Sequence, residues 1–412
     1  MIKTLNIKIS SIYRFALVCV AMAVSVAAYS QSASSTLVFP RHKSANIGII
    51  VRDLATHKDI VCRNPDKLMT PASILKCVTT ASVFLADKEA DCFTTDVLLT
   101  GDITPDSILL GDIVVKAVGD PTVDSRYFPA HYGLTDSIAA RIKEMGIKRV
   151  AGYIDIDSVG FIEQGPGQKW ELEDLKWSYG TGLYPLNFKD NALPGDRAMK
   201  DPAAYFTKDL KERLADAGVT IDETDVNFGE IPVRRLYSHS SPTYSQIMRE
   251  MMEKSNNLFA ESMLRVLEPC GTVADALELE TKLLYEAGLD CDNFVAFDGS
   301  GLTRSNLLTP KFMADLLDTM ISGNKSERYV SLFPKAGEEG TVKNLLKDTP
   351  LAGKLLLKSG SMRGVLCYAG YKVDNDGNPT HAVVIMVNGY TCKSLSLRNA
   401  IGDYLTRMFR QG

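Results

Sequence analysis

The sequence predicts an α/β (α+β) protein: an antiparallel sheet flanked by helices, interrupted by inserted domain(s). Three observations carry this reading. A strand–turn–strand near the start, Asn46–Arg63, leads into a helix. The end of the chain is dense in strands and closes on a helix. Between them, from about residue 96 to 236, short strands separated by Gly-Asp turns replace the helical texture. A chain of 412 residues is long enough for two or three domains with a sizeable core.

The elements follow in order. Lys3, Lys8 and Arg14 precede an apolar run from Phe15 to Ala28, and small Ala28 and Ser30 flank a cleavage point before Gln31. This is the pattern of a secretory signal over residues 1–30, and the run is short for a membrane span. The mature protein is therefore expected outside the cytoplasm with no integral membrane segment. Ile47, Ile49 and Val51 alternate as in a strand; a turn follows, and Ile60 to Arg63 returns. Thr70 then suits a helix cap and Pro71 a first helical position, with a helix through Val78, Ala81, Val83 and Leu85.

Within residues 96–236, Val97–Leu99, Ile108–Leu110, Ile113–Val115 and Val150–Ile156 read as strands, and Leu134–Met145 as an amphipathic helix. Lys169–Asn191 reads as a long ordered loop, its aromatics Trp170, Trp177, Tyr179 and Tyr184 serving packing in preference to a glycan-facing surface. Asp201-Pro202 starts a helix to Leu214, and Val226–Tyr237 is strand and turn. Ser241-Pro242 starts a helix to Met252; Lys254–Asn257 interrupts it, and Leu258–Leu267 resumes. Ala274–Ala287, Thr309–Met320, Val342–Leu346 and Leu395–Phe409 complete the helices. Leu355–Lys358, Val365–Val373 and Ala382–Val387 are the closing strands. Residues 31–95 and 237–412 thus form one domain around the insertion.

Lys and Arg number 46 against 50 Asp and Glu, a balance that gives no basis for nucleic-acid binding. Of eight cysteines, Cys19 lies in the signal; the other seven are scattered, with no C-x-x-C pair, and read mostly as small buried hydrophobes. No two of the five histidines have metal-ligand spacing, and each reads as a surface or turn residue. Asp374–Asn378 opens like a calcium loop, but Pro379 and Ile385 stand where glycine and glutamate belong, so it reads as a hairpin turn. No metal and no cofactor is expected.

The chemistry is expected at Ser73 and Lys76. Three residues apart on a helix, they share one face. A serine hydroxyl needs a base within reach, and a lysine serves only when burial or a nearby cation lowers its pKa. Taken alone, the pair also fits an N-capped helix with a solvated lysine. Two later stretches change the reading: Ser255-Asn256-Asn257 at the helix interruption, and Lys358-Ser359-Gly360-Ser361 at a strand end. S-x-x-K, S-x-N and K-[ST]-G, in that order, mark penicillin-recognising serine enzymes. Ser255 between the two lysines suits a proton relay, Asn257 suits a contact to Lys76 and a substrate amide, and Lys358 supplies positive charge. Gly360 leaves the strand edge open to a substrate backbone, and the amides of Ser73 and Ser361 suit an oxyanion hole.

Together with Gly119-Asp120-Pro121-Thr122, Asp298-Gly299-Ser300-Gly301-Leu302 and Arg304, and Gly340-Thr341-Val342-Lys343-Asn344, these motifs resemble the D-alanyl-D-alanine carboxypeptidase/endopeptidase family of low-molecular-mass class C penicillin-binding proteins, peptidase family S13. The resemblance spans nearly the whole mature chain and implies a β-lactamase/transpeptidase-like domain with its insertion between the first two motifs. It also implies periplasmic cleavage of peptidoglycan stem peptides through a Ser73 acyl-enzyme, with β-lactams as inhibitors. By the same resemblance, Asp120, Arg304 and Met362 line the pocket for the stem side chain. A β-lactamase or esterase on this scaffold, and a non-catalytic peptidoglycan-binding or β-lactam-sensing protein, are the alternatives.

Overall fold

The structure, a computed structural model, describes residues 45–225 and 232–409. The signal reading, His42 and the first part of the Val226–Tyr237 reading lie outside these residues. Among the described residues, no helix is long and apolar enough to cross a membrane.

The central sheet has five antiparallel strands: β1 (Asn46–Asp53), β2 (Lys58–Arg63), β3 (Leu355–Met362), β4 (Val365–Val373) and β5 (Pro379–Asn388). Their spatial order is β3-β4-β5-β1-β2, so chain start and chain end meet in the middle, with Ile49 opposite Ile385. Side chains alternate across a strand, and here both faces are covered. Ile47, Ile49 and Val51 join Val383, Ile385 and Val387 in a core under α6 (Ser394–Phe409). Ile50, Val384 and Met386 face the opposite core, with α1 (Lys76–Leu85), α2 (Tyr244–Lys254), α3 (Asn257–Arg265), α4 (Val273–Glu286) and α5 (Pro310–Ile321). Double coverage explains why β5 is nearly continuous hydrophobic sequence. Gly48 marks the closest approach: a Cβ there would sit 2.4 Å from Cγ of Pro310.

The intervening segment has its own core around Val97, Leu109, Ile138, Phe188 and Leu210. The stretch expected as one strand, Val150–Ile156, divides at Gly152-Tyr153. Arg149–Ala151 joins one four-stranded sheet and Ile154–Asp157 another. A Cβ on Gly152 would meet the Gly111 carbonyl at 2.2 Å, so the break marks a close backbone crossing. Ser241-Pro242 does not start α2. These residues end an eleven-residue strand, Val233–Thr243, and Thr243 with Gln246 forms the capping box. That box was the better start signal. Val342–Leu346 is only a short 3-10 turn, Gly340–Val342.

Other expectations meet mixed outcomes. All seven described cysteines are free thiols, and only Cys77 and Cys367 are buried, against the expectation of mostly buried side chains. His239 is buried, not a surface residue. Asp374–Asn378 does close a hairpin between β4 and β5. Of the four insertion aromatics, Trp170 is packed while Trp177 and Tyr179 are exposed.

Candidate functional site

The Ser73 turn is held by backbone geometry, not by the expected cap. Residues Ala72–Leu75 form a 3-10 turn that continues into α1; Pro71 occupies the cap position and makes no side-chain cap bond. Thr70 instead donates its hydroxyl to the Arg304 carbonyl and its amide to Asn388 at the end of β5. Ala72 has φ +48°, a left-handed conformation that alanine adopts at a cost of about 1–3 kcal/mol. Gly301 locks this kink: its own φ is +80°, and a Cβ on it would lie 2.0 Å from the Ala72 carbonyl.

Lys76 follows one turn later, wholly buried. Its Nζ has three partners: Ser73 Oγ at 3.1 Å, Asn257 Oδ1 at 2.8 Å and the Ser300 carbonyl at 2.7 Å. Two of the three can only accept. A neutral amine gives its two protons to those acceptors and aims its lone pair at the third, the Ser73 hydroxyl. Burial, reinforced by the Lys358 charge, drives the Lys76 pKa well below its ordinary value, while Glu261 and Asp298 pull the other way.

Ser255 and Asn257 are delivered by a one-residue break. Helix α2 ends on Ser255 in the left-handed region, φ 61° and ψ 37°; Asn256 then caps α3 by accepting from the Phe259 amide. The left-handed residue turns Ser255 toward Lys358 Nζ, 2.9 Å from its Oγ. Asn257 divides its amide: Oδ1 faces Lys76, and Nδ2 donates to the Tyr179 carbonyl at 2.9 Å. One amide proton of Asn257 remains for another acceptor. Tyr179 belongs to the long loop of the insertion, which therefore reaches the site; its carbonyl carries no side-chain signal in the sequence.

Lys358 lies on β3, the edge strand of the sheet. It too is fully buried, bonded to Ser255 and to the Ser359 carbonyl, and burial lowers its pKa to about 7. Residues 334–336 cover the strand edge beside Leu355–Leu357, through Ala336 N to Leu355 O and Leu357 N to Pro334 O. That cover stops short of Lys358. Ser359 is fixed by Thr341, the two hydroxyls 2.7 Å apart. The role of Gly360 differs from the expected one. A Cβ there would meet Pro71 O at 2.6 Å and the Ile74 and Ser73 amides at 2.9 Å, so the missing side chain is what admits the Ser73 turn. Ser361 is exposed and Met362 half-buried at the strand end.

The structure thus brings Ser73, Lys76, Ser255, Asn257 and Lys358 into one hydrogen-bonded and chain-adjacent cluster. Asp120 and Arg304, expected at the substrate pocket, make no side-chain hydrogen bond to this cluster. Asp120 is buried: Oδ1 accepts from the amide and hydroxyl of Thr122, while Oδ2 finds no partner among the described residues. Burial raises its pKa to about 6. Its turn is docked on α3, where Ser262 donates to the Gly119 carbonyl. Arg304 is ion-paired with Glu171 at 2.6 Å and donates to the Arg363 carbonyl, lining an open cleft with Gly364 and Tyr390.

A buried layer behind Lys76 escaped single-residue reading. Asp298 accepts from the Gly301 and Thr303 amides, Asn306 and Trp170, and Glu261 on α3 accepts from the Gly299 and Ser300 amides. The Asp298–Leu302 motif signalled the loop, whereas Glu261 is one acidic residue on an amphipathic helix and carries no signal of its own.

A five-stranded antiparallel sheet, with a Ser-x-x-Lys turn pressed on its edge strand through a glycine, defines the penicillin-binding class of mixed α/β folds. Within that class the chain belongs to the D-Ala-D-Ala carboxypeptidase 3 (S13) family, whose model matches residues 30–195 and 186–408. It is 24% identical to the D-alanyl-D-alanine carboxypeptidase DacB of Haemophilus influenzae, over 86% of this chain and 87% of that one. It is also 24% identical to a D-alanyl-D-alanine carboxypeptidase of an Actinomadura strain, over 84% and 78%. Penicillin binding protein 4 (dacB) from Haemophilus influenzae superposes with a TM-score of 0.77 at 21% identity, covering 93% of this chain and 98% of that chain.

Proposed function

We propose that the protein is a serine-type DD-peptidase that removes D-alanine from peptidoglycan stem peptides through a Ser73 acyl-enzyme, and that β-lactams acylate the same serine. The observation that carries this reading is the Lys76 amine, wholly buried, with two carbonyl acceptors fixed and the Ser73 hydroxyl at 3.1 Å. Two relatives named as carboxypeptidases support it. So does a solved penicillin binding protein 4 in complex with a β-lactam. Action outside the cytoplasm follows from the signal read over residues 1–30.

The steps use the side chains in place. Lys76 takes the Ser73 proton as Oγ attacks the carbonyl of the D-Ala-D-Ala bond. The developing oxyanion is met by the amides of Ser73 and Ser361. When the C–N bond breaks, the proton that Lys76 took from Ser73 passes by way of Ser255, which stands beside Lys358, to the leaving amine, and Lys76 is neutral again. Lys358 in its charged form holds the terminal carboxylate. The substrate backbone lies along the uncovered end of β3, and the free amide proton of Asn257 meets a substrate carbonyl. Water then cleaves the ester and returns the proton to Ser73. Asp120, Arg304 and Met362 face the stem side chain; the unpartnered Oδ2 of Asp120 and the open cleft at Arg304 support that placement.

Acylation by a chromogenic β-lactam should follow a bell in pH. Lys76 must be neutral, so the rate rises from acid as its depressed pKa is passed. Lys358 must be charged, so the rate falls above its pKa of about 7. A rate that climbs without a fall to pH 10 would remove Lys358 from carboxylate recognition. Mass spectrometry of purified muropeptides after incubation tests the reaction: loss of one D-alanine reads as carboxypeptidase, opening of a cross-link as endopeptidase. Fast multiple turnover of nitrocefin with intact muropeptides would favour the β-lactamase alternative.

A further inference from the structure

Lys76 is anchored from behind by a peptide group. Its Nζ donates to the Ser300 carbonyl; the Gly301 amide of that peptide is held by Asp298, and the two preceding amides, Gly299 and Ser300, are held by one side chain. Glu261 accepts from the Gly299 amide through Oε2 at 3.1 Å and from the Ser300 amide through Oε1 at 2.9 Å. The Gly299 carbonyl is in turn pinned to α1 by the Thr79 hydroxyl at 2.8 Å. A Cβ on Gly299 would sit 2.7 Å from the Ala260 carbonyl, so the loop lies directly on α3. Nothing else among the described side chains holds both amides.

We propose that Glu261 is a positioning residue for the general base: by holding the Gly299 and Ser300 amides it fixes the loop whose Ser300 carbonyl orients Lys76, and its negative charge sets how readily Lys76 gives up its proton. This deepens the reading of Lys76 as base and rests on it. Glu261 is only 9% exposed and sits in an unusual field. Lys76 approaches from α1, with Lys358 beyond it on β3. Asp298 faces it from the loop. Glu280 lies behind on α4, its Oε1 unpartnered and its carboxyl pushed up to about 8 by burial. A cavity of about 350 Å³ borders the far side, where Glu163, Lys169 and Arg265 stand. Burial and the Asp298 charge push the Glu261 carboxyl up, while its bonds to the Ser300 and Gly299 amides and the charge of Lys76 hold it down. In its ionised form it favours the protonated form of Lys76.

A negative neighbour stabilises the ammonium form of Lys76, so loss of that charge lowers the Lys76 pKa further. Glu261→Gln keeps the shape and one acceptor but loses the charge. Glu261→Asp keeps the charge and loses the reach to the two amides.

The test measures the rate of β-lactam acylation against pH for the full-length mature protein and both variants, with melting temperatures to confirm folding. Glu261→Gln is expected to move the acidic limb toward lower pH by about one unit, the size of a single charge interaction in a partly buried site. Glu261→Asp is expected to leave the limb within a few tenths of a unit and to lower the plateau about tenfold. A Glu261→Gln limb that stays in place overturns the proposal, even if the rate falls, because a purely structural role lowers rate without moving the limb. A ¹³C-lysine NMR titration, with the Lys76 resonance assigned by Lys76→Arg, reads the same shift without any reaction. If the wild type takes no β-lactam, the peptidase reading fails, and the titration alone decides the role of Glu261: a shift supports it, no shift overturns it.

Discussion

Ser73→Ala is expected to abolish covalent capture of β-lactams and to lower D-alanine release by roughly 10⁴-fold or more, because the nucleophile and its proton are removed together. The fold should tolerate the change. Ser73 is half-buried, and among the described residues the one side-chain hydrogen bond its hydroxyl makes is to Lys76 at 3.1 Å, worth about 1 kcal/mol net. Lys76 keeps Asn257 and the Ser300 carbonyl. Intact-protein mass spectrometry after exposure to a penicillin, with a melting curve on the same sample, checks both halves. An adduct that persists in the alanine variant would place the nucleophile elsewhere.

Gly360→Ala is expected to be nearly as damaging while changing no catalytic side chain. The added Cβ meets the Pro71 carbonyl at 2.6 Å and the Ser73 and Ile74 amides at 2.9 Å, all of them backbone atoms that cannot rotate away. Either β3 or the Ser73 turn must retreat. The Ser73 amide is one of the two donors assigned to the oxyanion, and losing one such donor costs about 10²–10³-fold in rate. Overpacking adds about 1–3 kcal/mol of destabilisation. Stopped-flow acylation together with thermal unfolding separates the two. A melting temperature that drops while the acylation rate holds would show that the turn moves with the strand and keeps its donor aimed. Had Gly360 served mainly to admit a substrate backbone, as the strand-edge argument supposed, the variant would raise KM and spare acylation by small β-lactams.

Much of the site was legible because its chemistry sits in side chains at short, ordered spacings. Ser73 and Lys76 are one turn apart, and Ser255 and Asn257 flank a helix break that the polar run Lys254–Asn257 announces. Lys358 ends an apolar strand. The strands at either end of the chain were legible as apolar runs, and α5 by its Thr309-Pro310 start. What escaped is the contribution of backbone. The Thr70 cap failed because the chain kinks left-handed at Ala72, and no residue type marks that kink; it exists because Gly301 and Gly360 press against it from two distant segments. Val150–Ile156 was read as one strand because its apolar period is continuous, whereas the crossing at Gly152 with Gly111 is a contact between segments. Glu261 resembles any acidic residue on an amphipathic helix until the loop at Gly299 is folded onto it.

By itself, the order of residues determined the mixed α/β class and singled out Ser73, Lys76, Ser255, Asn257 and Lys358 as candidates, since these depend on periodicity along the chain and on side-chain type. Only the tertiary structure decided that Lys76 is buried against Ser73 with two carbonyl oxygens filling its other directions, that Lys358 is buried on an edge strand left uncovered beyond Leu357, and that Tyr179 and Ser300 serve through their carbonyls. Burial and carbonyl position arise from segments far apart in the chain packing together, and a proton's affinity for an amine depends on that packing as much as on the amine.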